Sequence, residues 1–174
     1  ASYGMGQIYH VLHEEIEGVR QGGVVKFPLD FKTGVTRAAF RKSDGQLYLA
    51  GLFGWAGNKT QPGGFYRVRY TGKSLYMPLD LHIASDGVVL TFTDPLDPDS
   101  AVDSGNYAIE HWNYKWTEDY GSPDFKMDGT RGRDTLIASQ VSLSADRRTV
   151  YIEIPGIRKV MQMDIRLNLL AADK

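Results

Sequence analysis

The stretch GVVLTFTDPLDPDSAVDSGNYAIEHWNYKW, residues 87–116, decides the fold class. It opens on a run of β-branched and aromatic residues (87–93), crosses a turn rich in Asp and Pro, and resumes alternation at 106–116. Strand, turn and strand follow one another on both sides of it. Upstream, GQIYHVL (6–12), GGVVKFPL (22–29), VTRAAF (35–40), QLYLAGLF (46–53) and GFYRVRY (64–70) have the same character. Around it, so do LDLHIA (79–84), IASQVSLS (137–144), TVYIEI (149–154) and VMQMDIRLNLL (160–170). Gly, Pro, Asp and Asn bound these runs. The one helical expectation is a turn within DPDSAVDSGNY, capped by Asp97 or Asp99. The chain reads as all-β.

A polar turn holding Ser and Asp leads into an alternating strand three times, in KSDGQLYLAG (42–51), ASDGVVLTFT (84–93) and SADRRTVYIEI (144–154). This is a hairpin signature, because tight turns need the positive φ that Gly accepts without steric cost. Loops before TGKSLYMPLD (71–80) are Gly-rich and irregular; after it, strands and turns recur regularly. The expected division is a β segment at 1–76 and a sandwich at 77–174.

Bulk properties exclude several functions. Twenty basic residues against 21 acidic give the 174-residue chain a net charge of −1, with no basic field for nucleic acid or an anionic membrane. With no cysteine there is no disulfide, thiolate metal site or cysteine nucleophile. No stretch approaches the ~20 apolar residues of a membrane span. The opening ASYGMGQIYH lacks the basic and apolar regions of a signal peptide, so an exported parent would carry its signal upstream or have lost it.

Residues 87–109, then VSLSADRRTVYIEIPGI (141–157) and the closing run 160–170, resemble a bacterial Ig-like domain of S-layer and other exported proteins. That resemblance covers roughly 78–171 and implies an antiparallel sandwich in an extracytoplasmic (periplasmic or secreted) protein. GVTRAAFRKSDGQLYLAGLFGWAGNKTQPGGFYRVRYTGK (34–73) is similar to a blade of the glucose/sorbosone-dehydrogenase-like propellers of large multidomain bacterial proteins. There an Ig-like segment follows the last blade. Residues 1–76 would supply about one and a half blades, whereas a closed propeller needs at least four. Either the chain belongs to a larger protein, or its first strands pack on the sandwich. Such dehydrogenases use a quinone cofactor, PQQ, and a histidine from blades that this chain lacks. No catalytic residue is carried over, and PQQ is expected only in a parent protein.

The sharpest chemical signal is EHWNYKWTEDY (110–120). Trp112, Tyr114 and Trp116 recur at the spacing that places side chains on one face of a strand. With Ile109 facing the core, that face lies outward beside Glu110; a bulge near His111 would reverse it. Exposed, these rings and Tyr120 suit stacking on the apolar faces of pyranose rings. Buried, they are core. Trp55 and Asn58, in the Gly-rich loop FGWAGNKTQPGGF (53–65), form a second candidate sugar contact or a structural connection. His10 and His13 point to opposite faces of a strand and make a poor metal motif. Asp94, Asp97, Asp99 and Asp103 could contribute to a calcium site, although their spacing is not that of an EF-hand and a solvated turn is the default. GTRGRDTL (129–136) reads as a mobile basic loop. No phosphate loop, zinc-hydrolase motif or nucleophile elbow occurs.

The expectation is a non-catalytic accessory module with polysaccharide or oligosaccharide as ligand and neighbouring domains as further partners. Two alternatives stand beside it: a fragment of a quinone-dependent sugar dehydrogenase, and a structural spacer.

Overall fold

The computed structural model describes residues 1–53 and 61–173. It is all-β apart from one short α-helix and one 3₁₀ turn. Two compact units are present, Ala1–His13 with Gly22–Met77, and Glu14–Gln21 with Pro78–Lys174.

The first unit begins with the hairpin β1 (Tyr9–Ile16) and β2 (Val19–Lys26), whose tip belongs to the second unit. Glu17 and Gly18 join its strands, with φ of 50° and 78°. Two consecutive positive φ values are the signature of a type I′ turn, whose twist matches that of the strands. β3 (Gly34–Phe40), β4 (Leu47–Leu52) and β5 (Gly63–Val68) form an antiparallel three-stranded sheet. Leu49, fully buried at its centre, pairs with Ala38 and Tyr66. With Ile8, Phe31 and Val35 it makes a small core, against which Phe27, Leu29, Leu47, Tyr66 and Val68 pack. A bulge between Val35 and Arg37 shifts the β3–β4 register. Opposite it stands Gly51, where a Cβ would run into the Gly34 carbonyl.

The second unit is a two-sheet sandwich. One sheet has the order β10 (Gln140–Leu143), β11 (Thr149–Glu153), β7 (Gly87–Phe92), β6 (Pro78–Ile83). The other runs β12 (Gln162–Leu167), β8 (Tyr107–Trp112), β9 (Asp134–Leu136). Alternation decides the faces: Val88, Leu90 and Phe92, Val150 and Ile152, and Tyr107 and Ile109 all point into one core. Helix α1 (Pro98–Val102) lies between β7 and β8. Asp97 is its cap, accepting the Ser100 N–H at 2.8 Å, and Pro occupies the first turn, where its missing N–H costs nothing. Buried Ala101 joins the core, and its carbonyl accepts the Tyr107 hydroxyl at 2.6 Å.

Eleven of these strands fall within or beside expected runs. β9 differs, arising inside the stretch read as a mobile basic loop. Asp128 accepts from the backbone and hydroxyl of Thr130, which tightens the turn, and Arg133 enters ion pairs before Asp134 joins β8. Arg133 looks basic and solvated in sequence, but its charge is answered by Asp124 and Glu110.

Candidate functional site

β8 fixes the candidate surface. No bulge interrupts its pairing with β12 or β9, so Tyr107, Ile109 and His111 face the core while Ala108, Glu110 and Trp112 face outward. Trp112 is nevertheless only half-buried, because the Arg133 guanidinium lies over its ring at 3.7 Å from the centroid. Asp124 holds that guanidinium at 2.7 Å and Glu110 at 3.5 Å. The hydrogen bond that Arg133 donates to Asp124, and then the one to Glu110, keep the Arg133 pKa above its ordinary value, so the cation is fixed. Glu110 also receives Arg166 at 2.9 Å, and Arg166 in turn holds Asp164 at 2.9 Å. An alternating chain of charges thus covers the outer face of the second sheet.

The strip is not one strand. β8 ends at Trp112, and Asn113 pairs across an isolated bridge with Phe125. Tyr114, Trp116 and Tyr120 follow in a segment without regular structure. The ladder stops there because β12 begins at Gln162, opposite Trp112, and the next residue out, Met161, is spent on Asn113 and Tyr114. The segment still has its own ties: Lys115 N–H donates to Ser122 Oγ at 3.0 Å, and the Lys115 ammonium sits 4.1 Å from the centroid of Phe125. Tyr114 is exposed, and Trp116 (100 %) and Tyr120 are completely so. Glu118 and Asp119 lie exposed between them in sequence. The platform anticipated at 112, 114 and 116 is therefore divided into one cation-covered Trp112 and a loop of bare rings. Trp55 and Asn58 lie outside the described residues.

Behind this face His111 is almost completely buried, its Nε2 3.6 Å from Asp134 and its Nδ1 without a partner in the described residues. Asp134 also accepts the Met127 N–H at 2.8 Å. The acids of the α1 segment serve structure, Asp97 capping the helix and Asp103 accepting from Gly105 N–H at 2.9 Å. Among the described residues no group of three or more His, Asp or Glu is disposed to hold a metal ion. His82 pairs with Glu14 at 2.7 Å, and His10 stacks edge-on against Phe27.

Sequence reasoning reached the aromatic residues but not Arg133, Asp124, Asp164 or Arg166, which organise the face around them. The signal was present for one pair, since Asp164 and Arg166 share a strand face by their spacing of two. The rest depends on cross-strand register. No helix among the described residues is long and apolar enough to cross a membrane. No protein-family profile matches the chain, nor does any curated protein or solved structure.

Proposed function

We propose that this chain is a non-catalytic accessory β module of an exported bacterial protein, and that it recognises carbohydrate through Tyr114, Trp116 and Tyr120. The complete exposure of Trp116 and Tyr120 within one seven-residue segment carries this reading. Large aromatic side chains carry the greatest apolar surface, and leaving several in water has a cost that a ligand removes. Sugar rings offer apolar C–H faces to such side chains, with hydroxyls at the rim for Glu118, Asp119 and the Lys115 ammonium. Trp112, already stacked by Arg133, would support the loop and not contact sugar directly.

The Ig-like reading of the second unit draws support from strand order. Sheet β6–β7–β11–β10 has the order of the four-stranded sheet of Ig constant-type sandwiches, and β8 beside β12 matches two strands of their three-stranded sheet; β9 lies on the other side of β8, where that sandwich has no strand. The antiparallel β3–β4–β5 sheet is what the blade-like reading of the first unit rests on, with three strands where a propeller blade has four.

Fluorescence titration with soluble glucans, xylans and mannans tests the binding role. The expected result is a saturable shift that Trp116→Ala and Tyr120→Ala each weaken at least about tenfold while thermal stability stays unchanged. No response to any of the glycans, or a response untouched by both substitutions, overturns it.

A further inference from the structure

Among the described residues β12 is the edge strand of its sheet. Its single ladder partner among the described residues is β8. Just beyond the strand, Asn168 N–H donates to the Asn106 carbonyl at 2.9 Å, which sets the phase of the ladder. Backbone groups in an antiparallel strand alternate between its two sides. Gln162, Asp164 and Arg166 therefore face β8, and Met163, Ile165 and Leu167 turn their N–H and C=O groups outward. Such edges invite pairing and are commonly blunted by Lys, Pro or a bulge. The run QMDIRL has no Pro, Gly or Lys, and its pairing with β8 shows no bulge.

Its side chains carry a second property. About Ile165, residues 163–167 read Met, Asp, Ile, Arg, Leu: apolar and charged positions mirror one another, and the two charges are opposite. We propose that β12 pairs antiparallel with β12 of a second copy, Ile165 against Ile165, so that two three-stranded sheets become one of six strands. Met163, Ile165 and Leu167 then form the hydrogen-bonded pairs. Asp164 meets Arg166 of the second copy twice over, at non-hydrogen-bonded positions, where side chains approach most closely. On the inner face Met163 meets Leu167, extending the partly buried margin of the core.

Register is specified by repulsion. A shift of two residues one way sets Asp164 against Asp164, and the other way Arg166 against Arg166. A shift of one would put apolar side chains on the charged face. Arg166 already binds Asp164 within its own chain at 2.9 Å, so association exchanges one ion pair for an equivalent one and strands no charge. A six-residue edge is small against a standard protein interface, so the equilibrium should be concentration-dependent, not permanent.

The absence of cysteine supplies a direct test of register. Asp164→Cys and Arg166→Cys copies, mixed under mild oxidation, should form a disulfide-linked heterodimer. Facing Cα atoms at such a pair lie about 4.5 Å apart, within disulfide reach. Each variant alone should remain uncrosslinked, its cysteines being offset diagonally. Sedimentation equilibrium of the unmodified chain should show a monomer–dimer equilibrium, weakened at least about tenfold by Asp164→Lys with its circular dichroism unchanged. A chain that stays monomeric up to millimolar concentration overturns the proposal, as does crosslinking that is equal in all three mixtures or absent.

Discussion

The Arg133 guanidinium lies 3.7 Å from the centroid of the Trp112 ring, clamped there by Asp124 at 2.7 Å. A cation over an indole is attracted by the negative face of the ring, and the carboxylate removes its freedom to swing away. Trp112 is therefore an outward-facing residue with its outer face already occupied. Four residues later Trp116 has no such cover. Two tryptophans that look alike in sequence thus have opposite surroundings.

Arg133→Ala should uncover Trp112. In a Trp55→Phe, Trp116→Phe background, Trp112 is the sole indole, since the chain has three. Removing the guanidinium should shift its emission to the red and raise acrylamide quenching towards that of an exposed indole. Arg133→Lys should recover this only in part, because an ammonium cannot lie flat on the ring while reaching both Asp124 and Glu110. Emission and quenching unchanged in Arg133→Ala would show that other groups shield the ring.

Much of this fold was legible because alternation with period two is a local property. Val88, Leu90 and Phe92 announce an inward face, and Ile109 correctly sets Glu110 and Trp112 outward. A turn capped by Asp97 or Asp99 is expected for equally local reasons, and Asp97 is the cap. What could not be read depends on contacts distant in sequence. β9 is three residues long, too short for periodicity, and exists because Asp134, Thr135 and Leu136 pair with His111, Glu110 and Ile109. Strand β8 ends at Trp112 although alternation runs on to Trp116, because its partner β12 begins there. The Arg133 clamp likewise joins residues 110, 112, 124 and 133, which only the folded register brings together.

Gly51→Ala should damage the first unit. The new Cβ would press on the Gly34 carbonyl across the ladder, and on Thr33 Oγ1, which is fully buried. Backbone cannot yield as a flexible side chain can. The expected loss is about 1–3 kcal/mol, measured by urea denaturation. Gly45→Ala is the useful contrast. Its added Cβ meets nothing within 4 Å, so any cost there comes only from the φ of 65°. Equal losses at both positions would argue against the steric account.

Glu14 should make the second unit sensitive to acid. Burial pushes the pKa of its carboxyl up, but hydrogen bonds from Ile83 N–H at 2.8 Å, His82 at 2.7 Å and Gln21 at 2.7 Å more than reverse this. The net pKa lies below the ordinary 4.5. The folded state then binds fewer protons than the unfolded one in that window, so the contribution is complete above pH 4.5 and lost as pH falls through the folded value. Hydrogen exchange of the Ile83 amide, corrected for its intrinsic rate, should accelerate over this range. Glu14→Ala should exchange faster at neutral pH and lose the acid step. An acid step that persists in Glu14→Ala would assign it to another group.

Tyr107 should govern the alkaline limit. Its hydroxyl donates to the Ala101 carbonyl at 2.6 Å inside the core, and burial pushes its pKa up to about 12 from 10.0. Between those values the folded state holds a proton that the unfolded state has released. Its contribution is therefore intact below pH 10 and declines as pH rises towards 12. On the order of 2 kcal/mol is at stake, given 1.36 kcal/mol for each unit of displacement and some solvent access. Tyr107→Phe removes both the hydrogen bond and the ionisable group. It should cost about 1–2 kcal/mol at neutral pH by leaving the Ala101 carbonyl without its donor, yet flatten the decline above pH 10. Urea titrations at pH 7 and pH 11 separate the two effects, since the variant should lose less between them than the unmodified chain. Parallel losses would place the alkaline sensitivity in other tyrosines.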